Sequence, residues 1–270
     1  MFRSTVCLAL IVAIVAPILS PPTNAYADPI LKPRKYHGPI PKKYVTFSIG
    51  FFGGADNADM WDFLERQIDE PLRDEIQTND FGAAPVFTLA YTNKLHPQFA
   101  VRAQGGLTIL KSDSKGLWVP PVPPDSTAAP LVQFQRDFDV FLFSLDATGF
   151  YYFQDASVKN FQSYIGAGFS LMFPYSEFKQ DLVDTDTGQA YPPGGVSSSQ
   201  SEWSVDPGVH AVLGFLYHVN PTLAFNAEGR GQIAQSKFAL DYPTEDGIQP
   251  LTFDIDYTGF SITFGISKFF

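Results

Sequence analysis

The chain has almost no cysteine, and none where a fold could use it. Its single cysteine, Cys7, lies inside the first apolar run, so residues 28–270 carry no thiol, disulfide or cysteine metal site. Beyond that run no stretch approaches the roughly 20 apolar residues of a membrane-crossing helix, which leaves strands as the only elements able to span a bilayer. Charge is also scarce: Asp, Glu, Lys and Arg make up 17% of the residues, and the net charge is −10. That acidic balance argues against nucleic acid as a partner.

Aromatics, by contrast, are plentiful, with Phe 26 and Tyr 12. The N-terminus opens with Arg3, continues in an apolar run from Val6 to Leu19, and offers small residues around Tyr26 at Ala25 and Ala27. This is the pattern of a secretory signal peptide over residues 1–27, cleaved near Ala27. The alternative, a retained anchor, has an apolar run that is short for a spanning helix and is followed by Pro21 and Pro22.

The other terminus is a strand of two faces. Phe260, Ile262, Phe264, Ile266 and Phe270 alternate with Ser261, Thr263, Gly265 and Ser267. One face suits lipid and the other a polar lumen, although an ordinary half-buried strand alternates in the same way. Comparable alternation recurs over residues 44–52, 86–92, 99–110, 140–153, 161–173, 203–217 and 222–232, which with the terminal strand makes eight segments. Each is close to the ~9–11 residues of a tilted transmembrane strand.

Connector lengths separate a barrel from a secreted sandwich. Short connectors (93–97, 154–160, 218–221) alternate strictly with long ones (54–85, 111–136, 174–202, 236–250). An up-and-down barrel has its short turns on the periplasmic rim and its long loops outside. A sandwich has no reason to confine every long loop to one end. The expected fold is therefore all-β, an eight-stranded antiparallel up-and-down transmembrane β-barrel over residues 44–270. Residues 28–43, proline-rich and basic, are expected to form a periplasmic tail.

The apolar phase reverses near the end of the chain. Phe253, Ile255 and Tyr257 are odd-numbered, whereas the apolar positions after Gly259 are even. Phe238, Leu240 and Tyr242 are likewise out of step with residues 222–232. A bulge near Thr258 and Gly259, with a hairpin extended above the membrane, accounts for this; an irregular loop is the alternative.

On the inward faces fall Arg102, Asp146, His210, Glu228 and Arg230. An eight-stranded barrel is just wide enough for side chains to fill, and opposite charges there must pair. The structural reading is a salt-bridged plug. The functional readings are a gated pore or, through His210, acid–base chemistry, but no Ser or Cys nucleophile is expected in register beside that imidazole.

The first long connector carries Trp61, Leu64, Ile68, Leu72 and Ile76 at helical spacing over residues 57–77, with acids toward its start. Pro71 is expected to kink or divide this helix. It either caps the barrel mouth or meets a partner or headgroups. Asp181, Asp184 and Asp186 lack the order of a dedicated calcium loop, so a solvated acidic turn is expected and no metal. Trp118 to Pro124 is a stiff proline-rich stretch, a spacer or a recognition surface.

The signal, the eight dyad strands, the alternating connectors and the terminal Phe270 resemble the small outer-membrane barrels of the OmpA-, OmpX- and OmpW-like group. The resemblance lies in architecture across residues 44–270 and not in a sequence motif. It implies a monomeric, surface-exposed protein in the cell outer membrane, placed by the outer-membrane insertion machinery, with C-terminal residues Phe260 to Phe270 as assembly signal. Its partners would be outer-membrane lipid and an unidentified extracellular ligand, and no cofactor is implied. That group ranges from structural anchors and adhesins to channels for small hydrophobic solutes. In strand number the chain is also similar to lipid A-modifying barrels, which keep His and Ser near the outer rim; His96 and His218 lie instead at the short turns. The sequence thus points to a non-enzymatic barrel acting through its loops, then to a narrow channel, and last to an outer-leaflet lipid enzyme.

Overall fold

The computed structural model describes residues 42–68, 70–119, 131–153, 160–191, 198–244 and 247–270. The expected signal peptide, most of the tail and most of the proline-rich stretch lie outside the described residues. Eight strands close into a ring: β1 (Lys43–Gly53), β3 (Ala84–His96), β4 (Phe99–Trp118), β5 (Val132–Tyr152), β6 (Phe161–Asp184), β8 (Asp206–Asn220), β9 (Leu223–Thr244) and β11 (Gly259–Phe269). Every neighbour is antiparallel, and β11 returns to β1 over the register Tyr44↔Phe269 to Gly53↔Phe260. Closure leaves no unpaired edge within the ring, which a strand protein in lipid requires.

Outward side chains form an apolar belt. It includes Ile49 and Phe51 on β1, Phe141, Phe143 and Leu145 on β5, Ile165, Phe169 and Leu171 on β6, and Phe260, Ile262 and Phe264 on β11, all exposed. Ile266 is half-buried, and Phe270 is exposed at the lower rim with its N–H on the Lys43 carbonyl at 3.0 Å. The belt has aromatic borders, with Trp203 against Tyr175 at 5.0 Å near the upper end and Phe99 against Tyr151 at 5.3 Å near the lower. From Phe141 to Phe153 the chain advances roughly 12 residues; at ~3.3 Å per residue and a ~40° tilt that spans about 30 Å, the thickness of a hydrocarbon core. An exposed apolar surface of this size is a membrane surface.

The upper end departs from expectation. Two connectors expected as loops carry strand at both ends, β4 running on to Trp118, β5 starting at Val132 and β6 reaching Asp184, whereas the hairpin expected above the belt is present as β9 paired with β10 (Gly247–Asp256). Shorter strands complete this wall, β2 (Gln77–Asn79) beside β4 and β7 (Ser198–Trp203) beside β6. Between β7 and β9 side chains stand in for a strand ladder. The Gln200 amide both accepts from the Asp241 N–H (2.8 Å) and donates to its carbonyl (3.1 Å), and Glu202 accepts from the Ala239 N–H (2.6 Å).

In this upper section the faces exchange chemistry. Leu110, Phe138, Val140, Phe178, Phe238, Leu240, Phe253 and Ile255 point inward into one buried cluster, while Lys111, Asp139, Glu177 and Lys179 face out, with Lys111–Asp139 at 3.7 Å and Lys179–Glu177 at 3.0 Å. Below, lipid lies outside and polar groups inside; above, water lies outside and oil inside. The phase reversal read in the sequence is this change of solvent. Against β9 the register passes through it unbroken, Asp256↔Gln235 to Gly259↔Gln232. A bulge does occur where expected, but only against β1: Gly53 faces Phe260 and Asp56 faces Asp256. Gly54, with φ 103°, sits at this slip, and a Cβ there would come within 2.9 Å of Gly259 Cα.

The first connector folds into α1 (Ala58–Arg66) and α2 (Glu70–Arg73). One helix over 57–77 was expected; Pro71 divides it, because a proline mid-helix removes a hydrogen bond and clashes with the preceding turn. Met60, Trp61 and Leu64 of α1, and Ile68 after it, are all at most 2% exposed, and the first three join the same cluster as Phe138 and Phe178. Each such burial is worth roughly 1.5–3 kcal/mol. Leu72 and Ile76 are only half-buried. Glu65 accepts a 2.5 Å hydrogen bond from Thr78 of β2, tying α1 to the wall. The helix is a cap over the mouth of the barrel.

Candidate functional site: the barrel lumen

The dyad of each strand aims its polar residues inward. Arg102 and Gln104 come from β4, Ser144, Asp146 and Thr148 from β5, Tyr164 and Ser170 from β6, His210 from β8, and Glu228 and Arg230 from β9. The register lines them up across the wall, Arg102↔Thr148↔Gly168↔His210 and Gln104↔Asp146↔Ser170. Gly168 leaves room for the imidazole, since a Cβ there would stand 2.8 Å from His210 Nε2 and closer still to the Ala147 carbonyl.

All five lumen residues singled out in the sequence are buried, at 8% exposure or less, and they fall into two groups. In the first, Arg102 Nη1 donates to Glu228 Oε2 at 2.6 Å, and the Tyr164 hydroxyl donates to the same oxygen at 2.9 Å. The Arg102 guanidinium also stacks 4.3 Å above the Phe150 ring. In the second, Arg230 grips both oxygens of Asp146, at 2.6 and 2.9 Å, and its Nη2 reaches Ser170 Oγ at 2.9 Å. Planar two-point pairing of this kind is the strongest geometry available to Arg and carboxylate. His210 is held at both ring nitrogens, Nδ1 by Ser170 Oγ and Nε2 by Thr148 Oγ1, each at 2.8 Å.

That last arrangement corrects the sequence reading, which found no hydroxyl nucleophile beside His210. Ser170 was missed because it is not directly opposite: Gly168 faces His210, and Ser170 reaches the ring from the next inward position of β6. Ser170 and Thr148 are buried in the wall, at 2% and 6% exposure, and the interior cavity beside Arg230 is about 30 Å³. Ser170 and Thr148 hold the imidazole, and Arg230 in turn holds Ser170.

A further layer near the lower rim escaped the sequence reading. Lys94 donates to Gln162 Oε1 at 2.8 Å, His218 Nε2 meets the same oxygen at 3.0 Å, and the Tyr44 and Tyr152 hydroxyls meet at 2.5 Å. His218 was expected in a turn but belongs to β8 and points inward, 5% exposed. The signal that could have found some of them is the dyad itself, since Tyr152 shares the inward phase of Asp146 on β5 and His218 that of His210 on β8.

Outside the membrane span, Asp184 closes the tip of β6. Its Oδ1 accepts from the N–H groups of Asp186 and Thr187, both at 2.9 Å, and these donors, Thr187 first, hold its carboxyl below the usual range. Among the described residues no group of three metal-ligating side chains forms.

No family model matches the chain, and neither does any curated protein sequence. Solved structures resemble it at low identity. The outer membrane protein OprG from Pseudomonas aeruginosa superposes with a TM-score of 0.45 at 14% identity, covering 86% of this chain and 98% of that one. Neisserial surface protein A gives 0.40 at 12%, covering 86% and 100%. The N-terminal β-barrel domain of Pseudomonas aeruginosa OprF gives 0.35 at 12%, covering 85% and 98%. The closed hydrogen-bonded ring and its apolar belt establish the architecture by themselves: this chain has the fold of the small eight-stranded outer-membrane barrels.

Proposed function

We propose that this protein is a non-enzymatic, monomeric barrel of the Gram-negative outer membrane that serves as a structural and surface-presenting element. The observation that carries this reading is the interior. Ion pairs fill the lumen at mid-height, and the α1 cap with its apolar cluster fills the mouth above. With the inside occupied at both levels, the remaining working surface is the outside: the belt that meets lipid and the upper wall that meets the medium. The upper end, with its long extended strands, is read as extracellular and the short-turn end as periplasmic. Export with cleavage near Ala27, delivery by the outer-membrane insertion machinery through Phe260 to Phe270, and a periplasmic tail over 28–43 complete the proposal.

Gel mobility of the detergent-refolded protein, unheated and boiled, together with proteolysis of intact cells and planar-bilayer recording, tests it. The expected outcome is a heat-shifted band, cleavage only in the upper connectors, and no steady unitary conductance. A band indifferent to boiling would remove the barrel from the membrane, and steady conductance steps would replace the structural reading by a channel.

A further inference from the structure

The ion pairs and the apolar cap are separate bodies. Between them lies the cavity of about 30 Å³, whose walls carry the hydroxyl residues Thr88, Thr108, Ser144, Ser261 and Thr263. Its floor is Glu228 and Arg230, members of the two ion pairs; its roof is Phe52, Leu142 and Met172. The roof residues are at most 4% exposed and belong to the same cluster as Trp61 and Leu64 of α1. Hydroxyls enclosed away from bulk solvent are costly unless something bonds them, and a polar chamber of this volume suits about two water molecules.

We propose that this chamber holds water and that the barrel is shut by two chemically different gates in series, an apolar gate above it and, below it, a polar gate made of the ion pairs and of the Lys94, Gln162, His218, Tyr44 and Tyr152 layer beneath them. The proposal rests on the closed-lumen reading and adds its mechanism. The gates fail under different circumstances. Charge pairs yield when a partner is neutralised or a competing ion arrives. An apolar constriction excludes ions by staying dry, whatever the state of the charges beneath. Neutralising the lumen charges alone therefore leaves the barrel closed to ions, and loosening the cap alone opens only the chamber.

A cysteine at the chamber tests this from each side. Cys7 is the only native cysteine, so Thr263→Cys in a Cys7→Ser background carries one thiol. The probe is a small cationic methanethiosulfonate, applied to one side of protein reconstituted in vesicles. With both gates intact, the thiol is expected to be unreactive from either side. Replacing Arg102, Asp146, Glu228 and Arg230, with Tyr44 and Tyr152 of the layer beneath them, together by Ala, a charge-balanced change, is expected to speed reaction at least tenfold from the short-turn side only. Replacing Trp61, Leu142 and Met172 by Ser is expected to do so from the α1 side only. Reaction through an intact gate, or no gain after a gate is removed, overturns the proposal. A heat-shifted band checks the fold of each variant; should the multiple variant lose it, Arg102→Ala and Glu228→Ala with Tyr152→Ala, also charge-balanced, takes its place. Steady conductance of the unaltered protein would sink the closed-barrel reading itself, whereas a reactive thiol without conductance would sink the two gates alone.

Discussion

Arg102 and Glu228 stand 126 residues apart in the chain and 2.6 Å apart in the lumen, with side chains 3% and 6% exposed. β4 and β9 share no backbone ladder, so this contact crosses the barrel interior between strands that are not neighbours in the sheet.

Such a pair is worth less than the damage done by halving it. Glu228→Ala leaves Arg102 buried without its counter-charge, and the expected loss is about 3–5 kcal/mol. Removing both, Arg102→Ala with Glu228→Ala, is expected to cost less than the single change. Urea unfolding of the refolded protein, followed by loss of the heat-shifted band, compares the two. A double variant weaker than both singles would show that the pair does not act as a unit.

The cap has a measurable anchor in Trp61. Trp61→Ala empties a fully enclosed site and is expected to cost about 3–5 kcal/mol locally. Because α1 is attached above the membrane ring, the loss is expected to appear as faster proteolysis within 54–85, with the boiling-dependent mobility of the barrel kept. Unchanged cleavage would mean that α1 is held by something other than its apolar face.

Gly168 is expected to tolerate no side chain. Gly168→Ala places a methyl group against the Ala147 carbonyl and His210 Nε2. Overpacking of this kind costs typically 1–3 kcal/mol. Gly231, around which a Cβ would meet nothing within 4 Å, is the control, and Gly231→Ala is expected to be close to neutral in the same unfolding assay.

Ser170 beside His210 is expected to be chemically silent. A fluorophosphonate probe is expected to leave the folded protein unlabelled, because the hydroxyl is enclosed and already bonded to Arg230 and His210. Ser170→Ala, by contrast, is expected to destabilise by about 1–3 kcal/mol through groups left without partners. Labelling of Ser170 would return the enzymatic reading.

Acid is expected to loosen the β6 tip. Folding holds the Asp184 carboxyl below its usual range, so the turn is favoured while Asp184 is ionised, above the unfolded value, and is released as pH falls through the lowered one. Titration of the Asp184 carboxyl resonance is expected to show a midpoint below the ordinary carboxylate range. An ordinary midpoint would mean that the bonds to Asp186 and Thr187 are absent in solution.

The barrel was legible in the sequence because its constraint is local and periodic. A strand between lipid and a polar lumen must alternate, so Phe260, Ile262 and Phe264 against Ser261 and Thr263 give direction, phase and side without knowledge of any neighbour. The lumen residues followed from the same phase. The upper strands were less legible for the opposite reason. Lys111 to Lys115 and Phe134 to Asp139 still alternate, but with Lys111, Asp113, Lys115, Asp137 and Asp139 outward and Ser112, Ser114, Phe134 and Phe138 inward, and without the cap in view that reads as a break.

What the sequence determined by itself is which side of each strand every residue occupies, since a two-residue period leaves no other freedom. What only the tertiary structure decided is which inward residues meet: Arg102 with Glu228, Arg230 with Asp146, His210 with Ser170 and Thr148, and α1 with the mouth. Those contacts depend on the stagger of eight strands around a closed ring, a property of the circuit that no single strand carries.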